Sequence, residues 1–163
     1  MSDIGADGDE LPFFMMGEFK AVFPSELKYT TNHMWATPAA TGNAAATAWR
    51  FGLTSYAVRL LQDVYFLDWI VDSGADITRR QHLGSIESKK AESDLYSPTA
   101  GQLVSYNPQA LNDPSVINVD IYKDGWLMEI APASDVDLLD VDAYLKHLEQ
   151  AWVVAQRTIK GQV

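Results

Sequence analysis

From Tyr29 to Ile130 turn residues cut the chain into short strand-like runs, and only after Pro132 does one long helical period take over. That order confines the fold to a mainly β domain finished by a C-terminal helix. Trp49 to Leu53, Val64 to Val71, Leu83 to Ser88, Gln102 to Tyr106 and Trp126 to Ile130 carry the branched and aromatic residues of strands. Asp72-Ser73-Gly74-Ala75-Asp76 and Asp124-Gly125 supply turn chemistry between them. Thr41 to Ala48 reads as a loop opening onto the first of these runs. Ala57 to Leu61 reads as one or two helical turns, since Tyr56, Leu60 and Leu61 share a face. Gln62 to Glu87 and Gly101 to Glu129 repeat the order strand, glycine turn, strand. The repeat predicts a flattened two-sheet barrel or sandwich built from two similar hairpin sets.

The tail carries the most regular signal. Val141, Tyr144, Leu145, Leu148, Trp152, Ala155 and Ile159 form one helical stripe, which predicts core packing. Ser134 and Asp137 have capping-box-like spacing, with Asp where Glu or Gln is usual. Asp135, Asp137, Asp140 and Asp142 crowd the expected first turns, where the helix dipole favours anions. Arg157 and Lys160 sit in the last turn, with Gly161 after them.

At the other end, residues 1–28 read as an N-terminal arm ahead of a domain over 29–163. The first ten residues carry four acids and two glycines, whereas Phe13 to Phe23 is apolar enough to dock, with packing on the parent domain as the expected outcome.

Twelve Lys and Arg against twenty-two Asp and Glu leave a formal charge of −10, which argues against a phosphate-binding surface and so against nucleic acid. There is no cysteine, so disulfides, thiolate metal sites and thiol nucleophiles are excluded. The apolar run Leu11 to Met16 follows acidic residues and is too short to span a bilayer. A soluble, cytoplasmic chain without a membrane partner is expected.

A conventional active site is hard to find. His33, His82 and His147 show no helical metal spacing, and the Asp135–Asp142 acids lack an EF-hand's glycine and closing glutamate. No phosphate loop or Gly-x-Ser-x-Gly elbow is present. Neither a catalytic residue nor a metal site is expected. One segment stands out, Gly84 to Pro98, where Lys89 and Lys90 occupy a polar tip between strand-like flanks. Such a tip is either a solvated hairpin with charges blunting its edge or a turn that presents a lysine amine for covalent modification.

Glu87-Ser88-Lys89-Lys90-Ala91 with Ser93-Asp94-Leu95-Tyr96-Ser97-Pro98 resembles the lipoylation segment of glycine cleavage system H proteins, whose pattern is Glu-Ser-Val-Lys-Ala then Ser-Asp/Glu-x-x-Ser-Pro. The resemblance extends upstream through Tyr29-Thr30, His33-Met34-Trp35 and Gly52 to Ala57. Downstream it runs through Gly101, Asn107, Leu111, Pro114, Ile117-Asn118, Asp120, Tyr122 and Gly125-Trp126.

The resemblance implies a lipoyl-domain-like fold and a carrier rather than an enzyme, with lipoic acid in amide linkage on Lys90. Glu87 matches the acidic position that helps the modifying enzyme recognise the tip, and Asp94 an acidic position near the arm. The implied partners are a pyridoxal-phosphate glycine decarboxylase, a folate-dependent aminomethyltransferase, dihydrolipoamide dehydrogenase, and a lipoate ligase or lipoyl/octanoyl transferase. The implied cargo is an aminomethyl group. The missing cysteines fit, since the redox sulfur would be imported with the cofactor.

Three departures stand out. Met34 replaces a family glutamate near the arm, removing a carboxylate that would pair with a cationic cargo. Lys89 replaces an apolar residue. The N-terminal arm and the stretch Ala36 to Ala48 exceed the family pattern. They leave two alternatives open: an H-like lipoyl carrier for lipoate relay or another pathway such as sulfur oxidation, and an unmodified interaction module. A biotin carrier is disfavoured, because Met-Lys-Met is absent.

Overall fold

The computed structural model describes residues 10–39, 48–134 and 137–161. The chain opens with β1 (Phe13–Met16), β2 (Phe19–Val22), β3 (Lys28–Tyr29), β4 (Met34–Pro38) and β5 (Trp49–Leu53), then α1 (Ser55–Leu61). It continues through β6 (Val64–Trp69), β7 (Asp76–Ile77), β8 (His82–Ser88), β9 (Glu92–Tyr96) and β10 (Gly101–Tyr106). The short helices α2 (Pro108–Asn112) and α3 (Val116–Val119) precede β11 (Trp126–Pro132), and α4 (Val141–Gly161) closes the chain.

The strands form a two-stranded hairpin β1-β2, a six-stranded sheet ordered β3-β4-β5-β11-β10-β7 and a three-stranded sheet ordered β6-β8-β9. Every pairing is antiparallel. The expected mainly β body, with two larger sheets and a C-terminal helix, is the observed architecture.

The two larger sheets share one core. Leu83 and Ile86 from β8, Leu95 from β9, Leu103 from β10, Leu127, Met128 and Ile130 from β11, and Phe51 from β5 are all buried together. Full burial of each such side chain contributes about 1.5–3 kcal/mol. β11 runs through Pro132 instead of ending before it, because Gly101 still pairs opposite Pro132 and Ala133 N–H donates to Ala100 O at 3.0 Å.

A second core is aromatic. Phe23, Tyr29, Trp35, Tyr56, Tyr122, Tyr144 and Leu148 cluster beneath α4 and the β1-β2 hairpin. Tyr144 stacks on Tyr29 with centroids 4.8 Å apart, and Phe14 meets Tyr56 edge-on at 6.4 Å. The apolar stretch from Phe13 to Phe23 thus folds back on the chain's own body, where Tyr122 Oη donates to Val22 O at 2.6 Å.

The C-terminal helix starts later than the capping spacing predicts. Ser134 and Asp137 lie before it, and Asp140 caps it by accepting from Ala143 N–H at 2.8 Å. The reason is tertiary: Leu139 is held in an antiparallel bridge to Tyr29, which keeps it extended and out of α4. Tyr144 and Leu148 of the predicted stripe are buried, with Val141, Leu145, Trp152 and Ala155 half-buried. The expected roles of Asp135 and of the Ile159 and Lys160 side chains lie outside the described residues. So do most of the acidic N-terminus and residues 40–47 of the alanine-rich stretch.

Candidate functional site

β8 and β9 pair closely up to Glu87 opposite Glu92, so only residues 88–91 remain to turn the chain. Ser88 latches that turn. Its N–H donates to Ala91 O at 2.8 Å and its hydroxyl donates to the same carbonyl at 3.1 Å. The same Oγ accepts from Lys90 N–H at 3.3 Å and from Ala91 N–H at 3.1 Å. Ser88 is buried and these bonds are part-buried, so competition from water is reduced.

The two lysines are held differently. Lys89 N–H donates to Asp63 O at 2.8 Å, which fastens its backbone to the chain just before β6. Among the described residues, Lys90 is bonded only to the Ser88 hydroxyl within its own turn, and its side chain is exposed. Successive residues on such a turn point to different sides, so an approaching enzyme meets two distinguishable amines.

Glu87 lies half-buried between Phe66 on β6 and Glu92 on β9. Two carboxylates directly opposite each other repel. Their negative field falls beside the two lysines, which offsets part of that cost.

Beside β9 runs a groove of about 220 Å³. β9 is an edge strand. The facing wall comes from the turn before β4, the first residue of β4 and α1: His33, Met34, Ala57, Leu60 and Leu61. Met34 is 1% exposed and packs in the main core with Leu53, Ile86 and Leu95, so that part of the lining is apolar. Asp94 lies on the groove's rim, where His82 Nε2 stands 3.3 Å from one carboxylate oxygen and Tyr96 Oη donates to the other at 3.3 Å. Both partners of the His82–Asp94 pair are about half exposed, so solvent screens it to little net stability.

His33 shapes the far wall. Its backbone is left-handed at φ +67°, and its Nδ1 lies 2.9 Å from the Tyr144 hydroxyl, which in turn lies 2.9 Å from Thr54 Oγ1. Burial and the neighbouring His147 hold the His33 pKa down to about 4, so the ring lining the groove is neutral at physiological pH. Burial pushes the Tyr144 hydroxyl well above the usual phenol range, leaving it a neutral hydrogen-bonding group.

Of the residues picked from sequence, Lys90 and Glu87 lie at the turn, while Met34 and Asp94 both line the groove. Sequence reasoning missed Ser88 as the latch and the α1 wall. It also had no means of pairing His33 with His147, whose rings come within 5.5 Å across 114 residues of chain. The amphipathic face of α1 was the one available signal for the groove. Among the described residues, no cluster of three or more His, Cys, Asp or Glu is placed to hold a metal, and no helix is long and apolar enough to cross a membrane.

The chain is similar to known proteins over most of its length. The family model described as glycine cleavage H-protein matches residues 27–153. A glycine cleavage system H protein from Chromobacterium violaceum is 36% identical over 128 residues, covering 77% of this chain and 95% of the relative. One from Rubrobacter xylanophilus is 35% identical over 130 residues, covering 80% and 98%. A solved glycine cleavage system H protein from Mycobacterium marinum superposes with a TM-score of 0.67 at 34% identity, covering 78% of this chain and 99% of that one.

Proposed function

The chain belongs to the glycine cleavage H-protein family, and from that membership we propose that it is the lipoyl carrier of a glycine cleavage system, acylated on Lys90. The observation that carries the reading is the Ser88-latched turn, which leaves Lys90 exposed at the tip of the β8-β9 hairpin whose strands also line a partly apolar groove.

The residues present suit the cofactor. An exposed amine on a tight turn is open to an acylating enzyme, and an apolar channel lined by Met34, Leu53, Ile86 and Leu95 suits a hydrocarbon chain. When attached, lipoic acid supplies a reducible disulfide on a long tether that carries a one-carbon unit between enzymes. The chain's own residues do the rest. Ser88 holds the attachment turn, and Glu87 marks it for the modifying enzyme. Leu60, Leu61 and Met34 exclude water from the groove, and Asp94 offers one carboxylate to a cationic cargo.

In this reading the carrier performs no chemistry of its own. It meets a pyridoxal-phosphate glycine decarboxylase, a folate-dependent aminomethyltransferase and dihydrolipoamide dehydrogenase, after loading by a lipoate ligase or lipoyl/octanoyl transferase. The tether raises the effective concentration at each docked enzyme to about the millimolar range. The −10 charge favours docking faces with basic patches.

The test is reconstitution. Lipoylated protein mixed with a glycine decarboxylase should support exchange of labelled bicarbonate carbon into glycine, and the Lys90→Arg variant should not. Exchange at the same rate from Lys90→Arg would overturn the assignment.

A second reading is favoured by one observation. Met34 puts a thioether in the groove, and the groove's one lining carboxylate, Asp94, is already engaged by His82 and Tyr96. That lining suits an uncharged cargo, as in an H-like carrier for lipoate relay or sulfur oxidation. Lipoylated protein that is reduced by dihydrolipoamide dehydrogenase but inert with glycine decarboxylase would select this reading.

A further inference from the structure

Past the Tyr96 end of the groove lies a separate cavity of about 310 Å³, and Asn32 and Tyr96 line both spaces. Its wall holds two consecutive arginines, Arg79 and Arg80, in the turn between β7 and β8. In a chain with twelve cations against twenty-two anions, paired arginines would be expected to find acids. Among the described residues neither guanidinium is in an ion pair.

The turn is rigid. Arg80 N–H donates to Ser97 O at 2.9 Å, Ser97 N–H donates to Gln81 O at 2.9 Å, and the Gln81 side chain accepts from Thr78 N–H at 2.9 Å. Arg80 is also held at φ +69°, a conformation that suits glycine and costs a side-chain-bearing residue. A long cation kept at such a position, next to a second cation and facing a cavity, is arranged for a ligand rather than for the fold.

We propose that this cavity binds a small-molecule carboxylate. Two guanidinium groups offer forked donors that match a carboxylate, with the Thr31 hydroxyl beside them. Asp137 also lines the cavity, so two positive charges face one negative charge and a single anionic charge brings the lining to neutrality. The apolar part of the lining favours an anion with a carbon skeleton over inorganic phosphate. The Tyr96 ring and Pro98 give the carboxylate's carbon skeleton an apolar wall. This binding is independent of any group on Lys90. It would give the carrier a contact for an acid at the end of its groove.

The test uses the unmodified full-length chain. Sodium acetate, sodium benzoate and sodium phosphate are titrated at constant ionic strength, following backbone amide and arginine side-chain resonances by nitrogen-proton NMR. Acetate and benzoate should shift Asn32, Arg80, Tyr96 and Ser97 saturably, with phosphate weaker. Arg79→Gln combined with Arg80→Gly should weaken benzoate roughly tenfold or more. Glycine suits the left-handed backbone at position 80, so this variant keeps the turn. Asp137→Asn should tighten benzoate, a gain that misfolding cannot imitate. The proposal fails if no saturable shift appears, if the double variant binds as well as the parent, if Asp137→Asn weakens binding, or if phosphate binds more tightly than carboxylate.

Discussion

The Lys89 N–H donates to the Asp63 carbonyl at 2.8 Å, while among the described residues its neighbour Lys90 is bonded only to the Ser88 hydroxyl inside the turn. One lysine is therefore fixed by its backbone to the chain just before β6, and the other is held only within the turn. This asymmetry gives a physical basis for acylating one of two adjacent lysines.

The Ser88 latch can be tested on its own. Ser88→Ala removes an oxygen that accepts twice and donates once, at a cost of about 1 kcal/mol in stability. Lipoylation of Lys90 should slow by roughly fivefold as the turn loosens, the factor to which about 1 kcal/mol corresponds. Acylation time courses by mass spectrometry, beside a denaturant melt, would check both. An unchanged rate would remove Ser88 from the site.

The Tyr144 hydroxyl bridges His33 Nδ1 and Thr54 Oγ1, two residues whose backbones are also joined by Thr54 N–H donating to His33 O at 3.1 Å. Tyr144→Phe keeps the stack on Tyr29 but takes from His33 Nδ1 its hydroxyl partner and, among the described residues, leaves Thr54 Oγ1 only the Ala57 N–H. It should cost about 1–3 kcal/mol by urea unfolding, while Tyr144→Ala should cost about 3–5 kcal/mol because it also opens a cavity.

Acid should unfold the protein partly through His33. Its pKa is held down to about 4 in the fold, against about 6.5 in an unfolded chain. Between those values the unfolded chain binds the proton and the folded chain does not. Stability from this group is thus complete above pH 6.5 and is lost as pH falls towards 4. The loss is of order 2 kcal/mol, less than the full shift implies because the ring is part-exposed. Unfolding midpoints at pH 7.5 and 4.5 should differ less in His33→Gln than in the parent.

Close approach, not conformation, demands glycine at position 84. A Cβ there would stand 2.1 Å from Asp68 O and 2.9 Å from the Trp69 ring, where β8 pairs with β6. Gly84→Ala should cost about 2–4 kcal/mol. Gly17→Ala is the contrast: nothing lies within 4 Å of its Cβ, so only the left-handed φ of +65° penalises it, by about 1 kcal/mol. Thermal melts of the two variants should rank accordingly.

Much of the fold was legible because its strands obey local rules. Val64, Leu83, Gln102 and Trp126 each begin runs whose alternation and flanking turns mark strands, and Tyr144 and Leu148 mark the buried stripe of α4. What failed to show was set at long range. The bridge from Tyr29 to Leu139 delays α4 past its apparent capping box, and no local pattern encodes that bridge. The β1-β2 hairpin reads only as an apolar arm, since its turn at Gly17 sits between runs of four residues. At the site, Lys90, Glu87 and Asp94 were legible through resemblance alone, because a lysine tip looks like any charged hairpin. The groove was illegible because Met34, Leu60 and Leu95 meet only after folding.

The central claim is that Lys90 is the lysine that carries lipoic acid. Intact and peptide mass spectrometry of the protein made in a lipoate-supplemented host, beside Lys90→Ala and Lys89→Ala, tests it most directly. The account predicts a lipoyl adduct in the parent and in Lys89→Ala that is absent from Lys90→Ala. No adduct in the presence of a competent ligase, or an adduct that persists in Lys90→Ala, would contradict it.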